Sequence, residues 1–338
     1  LKHTVKARLT TDGYAEGILR GDRIILGQAI TLIESNLSGD RLLASDLIEK
    51  IIGYTGNSIR IGITGVPGVG KSTFIEAFGK HITSFGKKVA VLTVDPSSKL
   101  SKGSILGDKT RMETLAKNPM VFIRPSAAGN KLGGVAAGTR DAMLLCEAAG
   151  YEVIIIETVG VGQSETTVKS MVDFFLLLML AGAGDELQGI KKGIMEMADA
   201  IAITKADGHN LEQAYKAQTE YQHALRLSSV SKSGWEPIVL LSSAITDLGM
   251  EKIWNAILEF RNKTEDSGYF SSNRKDQDVT CLHEYFNMLL NSDHERFTNL
   301  QQAVKRMEDK VTGKNISPRA AAQKLLEDYH RAIRESTD

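Results

Sequence analysis

Residues 65–72 read Gly65-Val66-Pro67-Gly68-Val69-Gly70-Lys71-Ser72, the pattern G-x-x-x-x-G-K-S, and continue with Thr73. Each residue type in it has a physical task. The glycines let the backbone curl so that successive N–H groups aim inward at phosphate oxygens. A helix beginning near Lys71 turns the positive end of its dipole toward the same anion. Lys71 is long enough to reach the β- and γ-phosphates, and the Ser72 hydroxyl is a ligand for Mg²⁺. The chemistry is phosphate capture and phosphoryl transfer, which rest on positioning and charge neutralisation. No Ser/His/Asp or Cys/His arrangement for covalent catalysis is evident, and the seven histidines are scattered.

Three acids fall where such a site needs oxygen ligands. Asp95 follows the apolar run Val89–Val94, Glu157 ends the run Val153–Ile156, and Asp108 lies in Gly107-Asp108-Lys109-Thr110-Arg111. Ligands of open α/β sheets bind beyond the carboxyl ends of the strands. Asp95 and Glu157 should therefore face the phosphates, and a hard Mg²⁺ takes one or two carboxylates plus waters. Glu157 and Gly160 stand where GTPases carry D-x-x-G, with an acid reaching the metal and a glycine N–H meeting the γ-phosphate. Gln163 has two readings, a water-orienting residue or a surface residue of the same segment.

Base recognition falls to Thr204-Lys205-Ala206-Asp207, in the place of N-K-x-D, after the apolar run Ala200–Ile203. A carboxylate at Asp207 accepts from both N1–H and the 2-amino group of guanine, a donor pair adenine lacks. The Lys205 stem can cover the base face. Thr204 replaces an amide with a hydroxyl that can still hydrogen-bond. Ser242-Ser243-Ala244, after Ile238–Leu241, matches the loop whose backbone touches guanine O6.

The elements that must position these residues follow from the pattern around them. Seven short apolar runs, Ile59–Thr64, Val89–Val94, Val121–Arg124, Val153–Glu157, Phe174–Leu180, Ala200–Thr204 and Ile238–Leu241, alternate with helical stretches such as Ser72–Ile82. Most lack strict alternation, as expected of strands buried on both faces of a mainly parallel sheet. Strand and helix repeated in this way predict an α/β fold, a doubly wound sheet of the P-loop NTPase kind. Before it, residues 1–57 read as a helical extension, with Ser38-Gly39-Asp40 as a break between two helices. The nucleotide domain spans 58–265 and closes with a helix near Met250–Phe260. Asn262–Asp278 is polar and reads as a linker, and 266–338 form a helical arm. Leu282, Tyr285, Phe286, Leu289 and Leu290 share one face of that arm, and Ser317-Pro318 signals the start of its last helix. So short a helical tail buries little core alone and must pack on the α/β domain or on a second copy of itself.

Composition closes off other classes. The chain has 338 residues, 42% hydrophobic and 24% charged, which suits a folded globular chain and excludes wholesale disorder. Lysine plus arginine and aspartate plus glutamate balance at 41 each, so no excess field draws nucleic acid or anionic lipid. Two cysteines far apart, Cys146 and Cys281, argue against a cysteine-based zinc site and point to a reducing, cytoplasmic compartment. The longest apolar run, Phe174–Ala181, is far below the roughly 20 residues a membrane span needs. Leu1-Lys2-His3-Thr4 carries no apolar signal segment, and the absence of an initiator Met leaves room for an upstream segment having been removed.

Taken together the chain resembles the MeaB/ArgK-type GTPases, SIMIBI-class P-loop proteins that serve adenosylcobalamin-dependent acyl-CoA mutases, above all methylmalonyl-CoA mutase. The likeness covers nearly the whole chain. It is carried by Gly17–Arg23 with Ala29–Ser35, by Gly62–Thr73, Val94–Ser98 and Gly103–Met112, and by Glu157–Glu165, Ala181–Gly193 and Ser317–Ala321. The resemblance implies a magnesium-dependent enzyme that binds GTP and GDP, with Ser72, Asp95, Asp108 and Glu157 around the metal and Lys71 on the phosphates. It implies that the Asp108 loop and Glu157–Glu165 are switches, and that Ala181–Gly193 is a third loop that rearranges on meeting the mutase. Gln188 and Lys191 in that loop become candidates, with Lys71 and Glu157, for completing hydrolysis. The helical arm resembles the family's dimerisation element. Three rivals stand beside this reading. A nickel metallochaperone would want a His-rich tract or a Cys-bearing metal motif. An ATP-using kinase of an amino-acid transport system would want an ATP preference that Asp207 opposes. A nucleotide-locked scaffold would bind and seldom hydrolyse.

Overall fold

The computed structural model describes residues 8–35, 37–94, 112–125, 132–158, 164–181, 192–226, 232–294, 298–313 and 315–337. Two compact units make up the chain, Leu1–Gln277 and Asp278–Asp338.

The first unit is built on a seven-stranded sheet of order β3-β2-β4-β1-β5-β6-β7, every pair parallel. Its strands are β1 (Ile59–Gly65), β2 (Val89–Val94), β3 (Val121–Pro125), β4 (Val153–Thr158), β5 (Phe174–Leu180), β6 (Ala200–Thr204) and β7 (Ile238–Leu241), each within a residue of the run that predicts it. Successive side chains explain why those runs show no polar alternation. Ala90, Leu92, Ile154 and Ile156 enter one hydrophobic core, whereas Val89, Val91, Val153 and Ile155 enter another on the opposite face. With both faces covered, most positions are apolar. Three helices that precede the sheet, α1 (Thr11–Leu19), α2 (Arg23–Ile33) and α3 (Ser38–Ile51), fill the first core. The second is filled by α4 (Lys71–Ser84). After the short α5 (Glu113–Ala116), α6 (Leu132–Ala148) joins the first core, and α7 (Ser164–Lys169) packs on β1 and β4. Then come α8 (Lys192–Met197), α9 (Leu211–Arg226), which covers β6 and β7, and α10 (Met250–Asp266), which lies against α4. The chain winds to one side of β1 through β2 and β3 and to the other through β5, β6 and β7, so the switch point of the sheet lies at β1.

Two expectations are corrected here. Ser38-Gly39-Asp40 is the first turn of α3 and no break; the interruption falls before it, after Ile33. Asp40 is favoured in that turn by the helix dipole and accepts two hydrogen bonds from the Arg8 guanidinium, at 3.2 and 2.7 Å. Asn262–Asp278 is also no linker. It is helical except at the turn Ser267-Gly268, where Gly268 takes φ +75° and α11 (Tyr269–His294) begins.

The polar residues that look like a linker are the anchors of α11. Arg274 donates in a fork to Asp173, 2.8 and 2.7 Å, and from the same guanidinium to the carbonyls of Gly56 and Ser58. Its plane lies 4.5 Å from the Phe270 ring centroid. Gln277 donates to the Val172 carbonyl at 2.8 Å, and Arg140 to that of Gln277 at 3.0 Å. Asp173 also accepts from the backbone N–H of Arg60, 2.8 Å away at the start of β1. Because Asp173 is almost wholly buried, Arg274→Ala leaves an uncompensated carboxylate. Urea unfolding should show a loss of about 3–5 kcal/mol. Arg274→Lys should recover only part of it, because an ammonium cannot reproduce the planar fork.

In the second unit α12 (Thr298–Thr312) and α13 (Pro318–Thr337) pack on one another. The predicted start of α13 is in place, with Ser317 Oγ accepting from the backbone N–H of Ala320 at 3.2 Å. Along α11 beyond Gln277, Leu282, Phe286, Leu289 and Leu290 are exposed. Among the described residues no helix is long and apolar enough to cross a membrane.

Candidate functional site: a phosphate loop and its rim

The loop between β1 and α4 follows from its glycines. A Cβ on Gly65 would sit 2.6 Å from the carbonyl oxygen of Leu178 in the neighbouring strand, so only glycine lets the chain leave β1 there. Gly70 is the N-cap of α4 at φ +92°, and no side chain caps that helix. The first N–H groups of α4 have no intrahelical partner, and the helix offers them with its positive dipole end to an anion. Pro67, Gly68 and Thr73 are exposed, Val66, Gly70 and Ser72 are half-buried, and Val69 is buried beneath the turn.

Lys71 is 9% exposed and its ammonium donates to the carbonyls of Gly65 and Val66, at 2.7 and 3.3 Å. Burial pushes its pKa below the ordinary lysine value, opposed by the negative fields of Glu157 and then Glu165. A buried ammonium resting on weakly basic carbonyls is poised to exchange them for phosphate oxygens. Glu157, at the end of β4, is buried, and its Oε1 lies 3.4 Å from Ser72 Oγ. The register explains the meeting, since Glu157 pairs with Ile63 of β1 and Thr93 of β2. Thr158 and Thr64 join hydroxyls at 2.7 Å one step along the same two strands. Among the described residues no group of three His, Cys, Asp or Glu side chains gathers to hold a metal. The pair of Ser72 hydroxyl and Glu157 carboxylate still suits Mg²⁺, a hard ion that prefers oxygen and keeps several waters. Asp95, Asp108, Gly160, Gln163, Gln188 and Lys191 lie outside the described residues.

The residues expected from the sequence to read the base form a rim on the same loop. Thr204 ends β6, and its hydroxyl donates toward the carbonyls of Val69 and Met179, at 2.9 and 3.2 Å. It thus ties the phosphate loop to the sheet, a task its type alone does not announce. Lys205 takes the left-handed conformation, φ +56°, and its ammonium donates to the Gly68 carbonyl at 3.0 Å, so its stem crosses the exposed loop. Asn210 holds that strained turn by donating to the Lys205 carbonyl at 2.8 Å. Asp207 is half-buried and accepts from the Ser243 hydroxyl, which itself accepts from the N–H groups of Ile245 and Thr246, 3.3 Å each. Ser242 is fully buried and closes the rim onto β6, accepting from Ala206 N–H at 3.0 Å and donating to the Ile203 carbonyl at 2.8 Å. Ala244 packs on the core below.

A parallel sheet with a glycine-rich loop at its switch point, a buried lysine in that loop and a carboxylate on its rim defines a P-loop nucleoside triphosphatase. The family profile described as methylmalonyl Co-A mutase-associated GTPase MeaB matches residues 26–298, and the chain belongs to that family. It is a GTPase. GTPase ArgK of Escherichia coli is 45% identical over 322 residues, covering 93% of this chain and 96% of that protein. The mouse protein named methylmalonic aciduria type A homolog, mitochondrial, is 40% identical over 337 residues, covering 96% of this chain and 80% of its own. The crystal structure of LAO/AO transport system kinase, 36% identical, superposes with a TM-score of 0.75 over 96% of this chain and all of that one.

Proposed function

We propose that this GTPase is a chaperone that gates cofactor loading and protection of an adenosylcobalamin-dependent acyl-CoA mutase, methylmalonyl-CoA mutase first among the clients. The observation that carries the reading is the match of residues 26–298 to a family described by its association with that mutase. Lys71 and the free N–H groups opening α4 bind the β- and γ-phosphates. Asp207 selects guanine, with Ser243 fixing its carboxylate and the Lys205 stem lying along the base. Ser72 and Glu157, joined by Asp95 and Asp108, hold Mg²⁺. When bound, that ion neutralises charge on the phosphates. The segment from Glu157 to Glu165 and the loop around Asp108 act as switches, ordered by the γ-phosphate and released by hydrolysis. Gln188 and Lys191 complete the hydrolytic site when the mutase fixes their loop. A homodimer forms through the arm, a role supported by the exposed Leu282, Phe286 and Leu289, spaced four and three residues apart along α11.

The test is GTP turnover by the purified chain with and without the apo-mutase. Saturating mutase should raise kcat at least about tenfold, as expected when a partner completes a phosphoryl-transfer site. Unchanged turnover would remove the gating. An ATP-using kinase, the alternative raised by the structural relative's name, would require ATP in place of GTP in the same assay.

A further inference from the structure

One charged group near the phosphate loop is buried with an oxygen left unpaired among the described residues. Glu165 is 2% exposed, and its Oε2 accepts no hydrogen bond from any of the described residues. A buried carboxylate oxygen without a donor is costly and is kept where another state of the molecule supplies one. Its position says which state. Glu165 lies in the first turn of α7, and Val168, one turn later on the same face, packs on β1. The approach is close enough that a Cβ on Gly62 would meet Val168 Cγ1 at 3.0 Å, so a glycine in β1 is what seats the helix. From Val168 back to Glu165 the helix runs toward the carboxyl end of β1, where the phosphate loop begins. The Glu165 carboxylate accordingly acts on the Lys71 ammonium, alongside Glu157.

The fields of two buried acids therefore reach one phosphate-binding lysine, and only Glu157 lies beside Ser72. We propose that Glu165 is a catalytic residue of GTP hydrolysis, the acceptor that holds the attacking water against the γ-phosphate. A carboxylate cannot bind phosphate itself, because like charges repel, but it accepts strongly from water. The water oxygen forms a bond to the γ-phosphorus. The bond from that phosphorus to the β–γ bridging oxygen breaks, and its electron pair leaves with GDP. Glu165 accepts one water hydrogen in a hydrogen bond and keeps the oxygen in line. The proton passes to a γ-phosphoryl oxygen, and the product leaves as dihydrogen phosphate.

The proposal rests on the chain being a GTPase, so the wild-type chain is measured alongside. Glu165→Gln and Glu165→Ala are assayed for single-turnover GTP hydrolysis, GDP affinity by calorimetry and melting temperature. Hydrolysis should fall about 100-fold in both, the scale of a reactant no longer held in line. GDP affinity should stay within about threefold, since no ground-state contact is removed. The melting temperature of Glu165→Gln should hold or rise, because a neutral amide is cheaper to bury than an unpaired charge. Hydrolysis at the wild-type rate would overturn the proposal, whether or not the variant melts earlier. A loss of GDP affinity matching the loss of rate would overturn it too, by placing Glu165 in binding. Wild-type protein that binds GDP but turns over no GTP would remove the enzyme assignment and the proposal together.

Discussion

Lys71→Ala should lower kcat/KM for GTP by about a thousandfold or more, close to 4 kcal/mol of transition-state stabilisation. The size follows from burial. Lys71 is almost sealed from solvent and is the ammonium held inside the phosphate loop, on the carbonyls of Gly65 and Val66. A cation in so dry a place is worth far more to a phosphate in transfer than one in water. Its loss also leaves Glu157 and Glu165 facing the nucleotide without the charge they act on. Lys71→Arg should rescue little, because a planar guanidinium does not fit where a compact ammonium sits between two carbonyls. Initial rates against GTP concentration measure the effect. A loss confined to KM, with kcat intact, would mean that Lys71 only binds.

Asp207→Asn should weaken GDP binding about 100-fold or more while improving xanthosine diphosphate by a similar factor. A carboxylate accepts from both guanine donors, and an amide can accept only one and presents its N–H₂ to the other. Xanthine carries a carbonyl where guanine carries the 2-amino group, so the amide's misplaced donor becomes a partner. Sites built on buried polar pairing reject the wrong analogue strongly, because each mismatch leaves a desolvated group unpaired. Ser243 makes the prediction sharper, since its hydroxyl holds one Asp207 oxygen and is itself held by two backbone N–H groups. Competition calorimetry with the two diphosphates reads the exchange directly. Equal affinities of the variant and the wild type for GDP would show that Asp207 does not touch the base.

Much of this architecture is legible in residue types. The seven strands can be read because strands buried on both faces are made mostly of apolar residues. The phosphate loop can be read because its glycines, Lys71 and Ser72 answer to local backbone geometry. Roles set by distant partners are not legible in this way. Arg274 looks like one more charge in a polar stretch, and only the folded chain brings it to Asp173, 101 residues away. The Thr204 hydroxyl meets the Val69 carbonyl, 135 residues distant in sequence, a contact its residue type does not announce. Glu165 is only the last residue of a switch-like segment in the sequence, and the seating of α7 on Gly62 is what buries it. Ser38-Gly39-Asp40 misleads for the opposite reason, because the residues that favour turns also favour the first turn of a helix.

The central claim is that the loop after β1 grips a nucleotide whose base is read by Asp207. It is tested most directly by calorimetric titration of the purified chain with GDP and with ADP at saturating magnesium. GDP should bind one-to-one and at least about 100-fold more tightly than ADP, in keeping with a site whose half-buried carboxylate is satisfied by guanine alone. Equal affinity for the two, or no binding of either, would contradict the account.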